Sequence, residues 1–260
     1  HSNLGGAGPD GGPEELTFTN VAENIDLVIT ATSPYTPNML NPTGGPLRNG
    51  AHQNFGVINM ASGSSVNLDF TLTDSATGED SADTFVVTFF DGDHGMAHES
   101  REGLTISGMS NYIVDDDTEL EITETATDDA SLANGVGLAT FTSTLRGTKE
   151  DNPLSPMALT GLQEKRSVEA YFENKASFSV TLTESGYVNP QGRNIFFAGA
   201  STLTCTKEAK CTSFECPLGW KLKQDAEFTI CASKPCTVAD TDACCFEEVP
   251  AIVPPGARRR

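Results

Sequence analysis

Cysteine is missing from residues 1–204 of the 260-residue chain; all seven cysteines lie between 205 and 245. Basic residues are scarce too. Sixteen Lys and Arg stand against 36 Asp and Glu, giving a formal net charge of −20. That balance argues against nucleic-acid binding, which needs clustered Lys and Arg. No apolar run reaches transmembrane length, so no membrane span is expected. Catalytic signatures are also lacking. The four histidines (1, 52, 94 and 98) sit in no recognisable triad context, and there is no G-x-S-x-G. The nearest N-glycosylation candidate, Asn41-Pro42-Thr43, is blocked by its proline. No catalytic residue is assigned, and the chain reads as a non-enzyme.

What is present is unevenly placed. Residues 1–204 hold 28 acids and 8 bases; residues 205–260 hold 8 of each. From Asp74 to Asp129 there are 16 acids and one base, Arg101. Such crowding repels itself unless cations screen it or water solvates it.

The stretch 84–95, TFVVTFFDGDHG, organises the first part. Phe85, Val86, Val87, Phe89 and Phe90 leave almost no polar position, which reads as a central strand covered on both faces. It ends in Asp91-Gly92-Asp93, a turn signal carrying two carboxylates. Around it lie short Thr-, Val- and Phe-rich segments at 16–19, 25–32, 55–60, 66–73, 104–108, 111–115, 118–123, 136–144, 168–174, 177–183 and 194–203. In 66–73, Val66, Leu68, Phe70 and Leu72 alternate, so that strand has one wet face. Only 157–166 looks weakly helical. The pattern predicts an all-β fold, an antiparallel jelly-roll-like β-sandwich over residues 16–204.

Residues 1–15 form a Gly- and Pro-rich arm that cannot fold alone and is expected to be held by a neighbouring subunit. Residues 205–245 carry many cysteines and few apolar side chains, so this module needs staples. Cys211, Cys216, Cys231, Cys236, Cys244 and Cys245 suffice for three disulfides with 15 connectivities. Zinc favours repeated C-x₂-C pairs, which these spacings do not give. Cys205 is left over, as a buried thiol or an inter-chain link. Residues 246–260, with three prolines, are expected to be an extended arm. Its end, Arg258-Arg259-Arg260, matches what a protease cutting after basic residues leaves behind.

Hard oxygen ligands on loops are what calcium takes. Asp91, Asp93 and Glu99 follow the central strand, and Asp115, Asp116 and Asp117 sit in a later turn. The candidate calcium set is Asp91, Asp93, Glu99, Asp115 and Asp117, although the spacing is not that of an EF-hand. Capping of turns by the same side chains is the plainer reading of Asp91 and Asp93. His94 and His98 are four apart, but no helix aligns them for a transition metal. Trp220 and the four tyrosines read as core or module fillers.

The run C-x₄-C-P-x-G-[aromatic]-x-L-K…C-x₄-C-T-x₂-D-x₃-C-C is carried by Cys211, Cys216, Pro217, Gly219, Leu222, Lys223, Cys231, Cys236, Thr237, Asp240, Cys244 and Cys245. It resembles a small Cys-rich module of predicted secreted dinoflagellate proteins. The stretches IDLVITATSPY, SVNLDFTLTDSATG and FVVTFFDGDHG are similar to a sandwich domain of the same proteins. The resemblance implies a secreted protist protein, and transfers no activity and no catalytic residue. An acidic, secreted chain with terminal arms resembles a trichocyst (extrusome) matrix or filament subunit, with a flagellar-hair (mastigoneme) subunit as the near alternative. The expectation is a calcium-sensitive homopolymer, or a polymer with related subunits, in a secretory granule or extracellular filament. A calcium-dependent lectin is the competing class.

Overall fold

The computed structural model describes residues 1–38, 49–94, 100–126, 136–148, 150–185, 192–199, 216–217, 220–223 and 241–247. The chain divides into two compact units, His1–Thr204 and Cys205–Arg260.

In the first unit the strands are β1 (Glu15–Ala22), β2 (Ile25–Ala31), β3 (Gly50–His52), β4 (Phe55–Met60), β5 (Ser65–Asp74), β6 (Asp83–Phe90), β7 (Arg101–Ser107), β8 (Asn111–Val114), β9 (Leu120–Ala126), β10 (Val136–Ser143), β11 (Val168–Lys175), β12 (Ser177–Ser185) and β13 (Arg193–Ala198). They form a seven-stranded sheet, β1-β2-β5-β12-β7-β10-β9, and a six-stranded sheet, β3-β4-β13-β6-β11-β8. From β5 to β12 the chain interleaves the two sheets. β5, β12, β7 and β10 are neighbours in one, and β6, β11 and β8 in the other. That is the order of a jelly roll. β9 departs from it by pairing with β10 at the edge of the first sheet.

Each segment expected as a strand forms one within the described residues; positions 200–203 of the last lie outside them. The three residues of β3, Gly50, Ala51 and His52, carry no strand pattern; they are held by pairing with β4. The helical expectation over 157–166 shrinks to α1 (Gly161–Lys165). It starts where Thr160 and Gln163 form a reciprocal capping box.

The core explains the strand pattern. β5 buries Val66, Leu68, Phe70 and Leu72 on one face and leaves the other wet. Phe70 stacks on Phe178 at 4.7 Å, and Phe178 on Phe172 at 4.2 Å. In β6, burial rises along the strand. Val87 and Phe89 enter this main core, while Phe90 packs on the opposite face with Phe55 and Val57. Its C-terminal half is therefore covered on both sides, and that covered half delivers the chain to Asp91.

Residues 1–15 are not a free arm. Leu4 is 0 % exposed and belongs to the main core. The Asn3 side chain donates to Gly12 O and Pro13 O and accepts from Gly8 N. Asn3 N donates to Glu15 O, and Ser2 bridges Leu16 on β1. A single apolar plug and one buried amide thus hold a Gly/Pro-rich segment on its own sandwich. Leu4→Ala should cost ~2–5 kcal/mol in urea unfolding. A loss below ~1 kcal/mol would mean that the plug is not seated.

In the second unit, β14 (Trp220–Leu222) pairs antiparallel with β15 (Cys245–Glu247), which follows α2 (Thr241–Cys244). Cys216 is bonded to Cys245, and Cys244 is disulfide-bonded as well. Phe246 and Glu247 therefore lie in a strand rather than in an extended arm. Cys205, Cys211, Cys231, Cys236 and the terminal arginines lie outside the described residues.

Candidate functional site

The site lies at one end of the sandwich, where β6 runs out. Asp91 takes a left-handed backbone conformation (φ 65°), and Gly92 N donates to Arg166 O at 3.0 Å. These turn the chain so that Asp91 and Asp93 both reach inward. The segment after β10 closes over them. His94 N donates to Leu145 O (2.7 Å), and Gly147 N donates back to His94 O (2.9 Å). A Cβ on Gly147 would collide with the Asp93 carboxylate, so only glycine lets this backbone pass. Further along, Thr148 N donates to Asp151 Oδ2 at 2.7 Å and fixes that side chain.

One carboxylate oxygen each from Asp91, Asp93 and Asp151 lies within 4.8 Å of the others. Asp93 is 7 % exposed and Asp151 0 %. Burial, together with the neighbouring Asp93 and Asp151 charges, raises the Asp91 carboxyl to about 8. Burial raises Asp93 to about 6, against the pull of Arg193. Arg166 balances part of this charge. Its Nε donates to Glu119 Oε2 at 2.8 Å, and its Nη1 donates to Asp151 and to Arg146 O.

A second ion cluster adjoins the first. β7 and β12 place Glu102 directly opposite Glu184. Like charges so placed repel, and Arg193, from the other sheet, reaches between them at 2.9 and 3.6 Å. Glu184 also accepts from Ser100 Oγ (2.6 Å) and Gly63 N (3.1 Å). Glu102 is pushed well above the usual range by its burial. A cavity of ≈ 40 Å³ lies beside it, lined mostly by apolar groups, with Glu102, Ser143 and Arg166 at its polar edge.

Of the candidate calcium residues, the structure brings Asp91 and Asp93 together and adds Asp151. Asp115 and Asp117 are not part of this group. Asp115 accepts from Asp117 N in a turn, and Asp117 faces Lys165 at 3.6 Å. Glu99 and His98 lie outside the described residues. His94 Nε2 is engaged with Ser143 O at 2.7 Å. No signal in the sequence marks Asp151, Glu102, Glu184, Arg166 or Arg193; topology alone assembles them.

Among the described residues, no helix is long and apolar enough to cross a membrane. No family model matches the chain, and no curated protein does. Among solved structures, the adhesin domain of PrgB from Enterococcus faecalis is similar over 68% of this chain, with 12% identity and a TM-score of 0.36. The match spans 57% of that chain, so less than two thirds of its length is represented here.

Proposed function

We propose that the chain is a non-enzymatic, secreted structural subunit that assembles with copies of itself or with related subunits. The Cys216–Cys245 bond carries this reading. It staples a ladder of three residue pairs, too small to persist without a cross-link, and such bonds persist in oxidising compartments. The charge division adds to it. An acidic sandwich unit is joined to a unit whose net charge is zero but which carries Lys207, Lys210, Lys221, Lys223 and three terminal arginines, and pairing of these bases with acids of another copy would be salt-sensitive. The site also favours a structural role, since Asp93 and Asp151 are buried and face other parts of their own unit. Within this reading, an extrusome or trichocyst filament subunit is the narrower proposal.

Electron microscopy of native material, with and without a calcium chelator, tests it. Fibres with a regular repeat are the expected result. Isolated particles in both conditions would overturn it, and chelator-sensitive glycan binding would favour a lectin instead.

A further inference from the structure

We propose that Asp91, Asp93 and Asp151 form a binding site for a hard divalent cation, calcium by class, which ties Asp151 to the end of β6. The inference is independent of the assembly reading, because a single subunit contains the whole site.

Three observations converge on it. The first is geometric. Three carboxylate oxygens within 4.8 Å of one another can share one ion at about 2.3–2.6 Å with little movement. The second is the state of these side chains. Asp91 Oδ1 is fully buried and meets no donor. Asp93 is 93 % buried (7 % exposed), and its carboxylate is hydrogen-bonded to Asp151, a second acid, a contact that two ionised carboxylates make only through a shared proton or a cation. An ionised carboxylate buried without a donor is costly. Arg166 serves Asp151 and Glu119, and Arg193 serves Glu102 and Glu184, so neither guanidinium forms an ion pair with Asp91 or Asp93 within 4.0 Å. Both guanidinium charges act on Asp91 and Asp93 from a distance, and neither touches them.

The third observation is the chemistry of the donor set. All three ligands are oxygens. The nearby His94 ring nitrogen is engaged with Ser143 O, and residues 1–204 contain no cysteine. Such a set selects a hard cation over zinc or copper. The ion would take the place of the missing donors and hold Asp151 against the end of β6.

The test uses the full-length chain freed of metal with EDTA and then titrated with calcium chloride or magnesium chloride. Binding is followed by calorimetry and by thermal unfolding. Saturable 1:1 binding of calcium is expected, with Tm raised by roughly 5–10 °C at a hundredfold excess over Kd. Asp93→Asn and Asp151→Asn should each lower calcium affinity at least tenfold. The surface control, Glu79→Gln with Asp80→Asn, should leave it unchanged. Folding is checked separately by the Tm in EDTA, where Asp93→Asn should match or exceed the parent because it removes a buried charge. The proposal is overturned if the folded parent binds no calcium at millimolar concentration. It is equally overturned if the surface control weakens binding as much as the site variants do, since binding would then reflect diffuse acidity.

Discussion

In metal-free buffer the sandwich should lose stability steadily as pH rises from about 4 to about 8. An Asp whose carboxyl is raised in the folded protein binds its proton more tightly there than in the unfolded chain. Its contribution is complete below the unfolded value of 3.8 and is lost as pH passes about 6 for Asp93 and about 8 for Asp91. Each pH unit of such a shift is worth ~1.4 kcal/mol, so the two groups together move stability by several kcal/mol. The charges acting on them are Glu102 on β7, Arg193 on β13, and Asp151 and Arg166 on the connecting segments; Arg193 is shared with Glu184 on β12, and Arg166 with Glu119. Asp26 and Asp74 act in the other direction. Hydrogen bonds from Ser75 and Asn20, and from Thr77 and Ala76, hold them low, so they titrate below this window. Calcium should flatten the fall, because an ion replaces the protons. Tm measured across pH 4–8 in EDTA and in calcium decides the matter; a flat or rising EDTA curve would contradict the buried-acid picture.

Arg166→Met should cost ~3–5 kcal/mol, the loss expected when one partner of a buried ion pair is removed. The guanidinium is 5 % exposed and holds Asp151, which has no exposed surface, along with Glu119. Its removal leaves a fully buried carboxylate without its counter-charge, beside two more acids. Adding Asp151→Asn to that variant should recover a large part of the loss, since the orphaned charge then disappears. Urea unfolding of both variants in EDTA checks this. An Arg166→Met protein within ~1 kcal/mol of the parent would contradict a stabilising role for this ion pair.

The all-β class, the strand positions and the importance of the 84–95 stretch were legible from the residues alone. A strand of alternating Val66, Leu68, Phe70 and Leu72 can bury only one face, and a run such as FVVTFF has no wet face to offer. The clustering of all seven cysteines in 205–245 likewise marked a module in need of cross-links. These are local properties, fixed by side-chain period and composition. Tertiary structure decided the rest. Leu4, one apolar residue among glycines, shows no pattern, yet it seats residues 1–15 on their own sandwich. Asp151 stands 58 positions beyond Asp93, and Arg193 a further 42, in segments that read as ordinary polar loop and strand start. They meet because jelly-roll topology brings the ends of β6 and β12 and the starts of β7 and β13 to one rim. Asp115 and Asp117 looked equally suitable by composition, but their own turn and Lys165 occupy them. Composition told which carboxylates exist; the burial and encounter of particular ones depend on contacts between strands far apart in the chain, which no local pattern encodes.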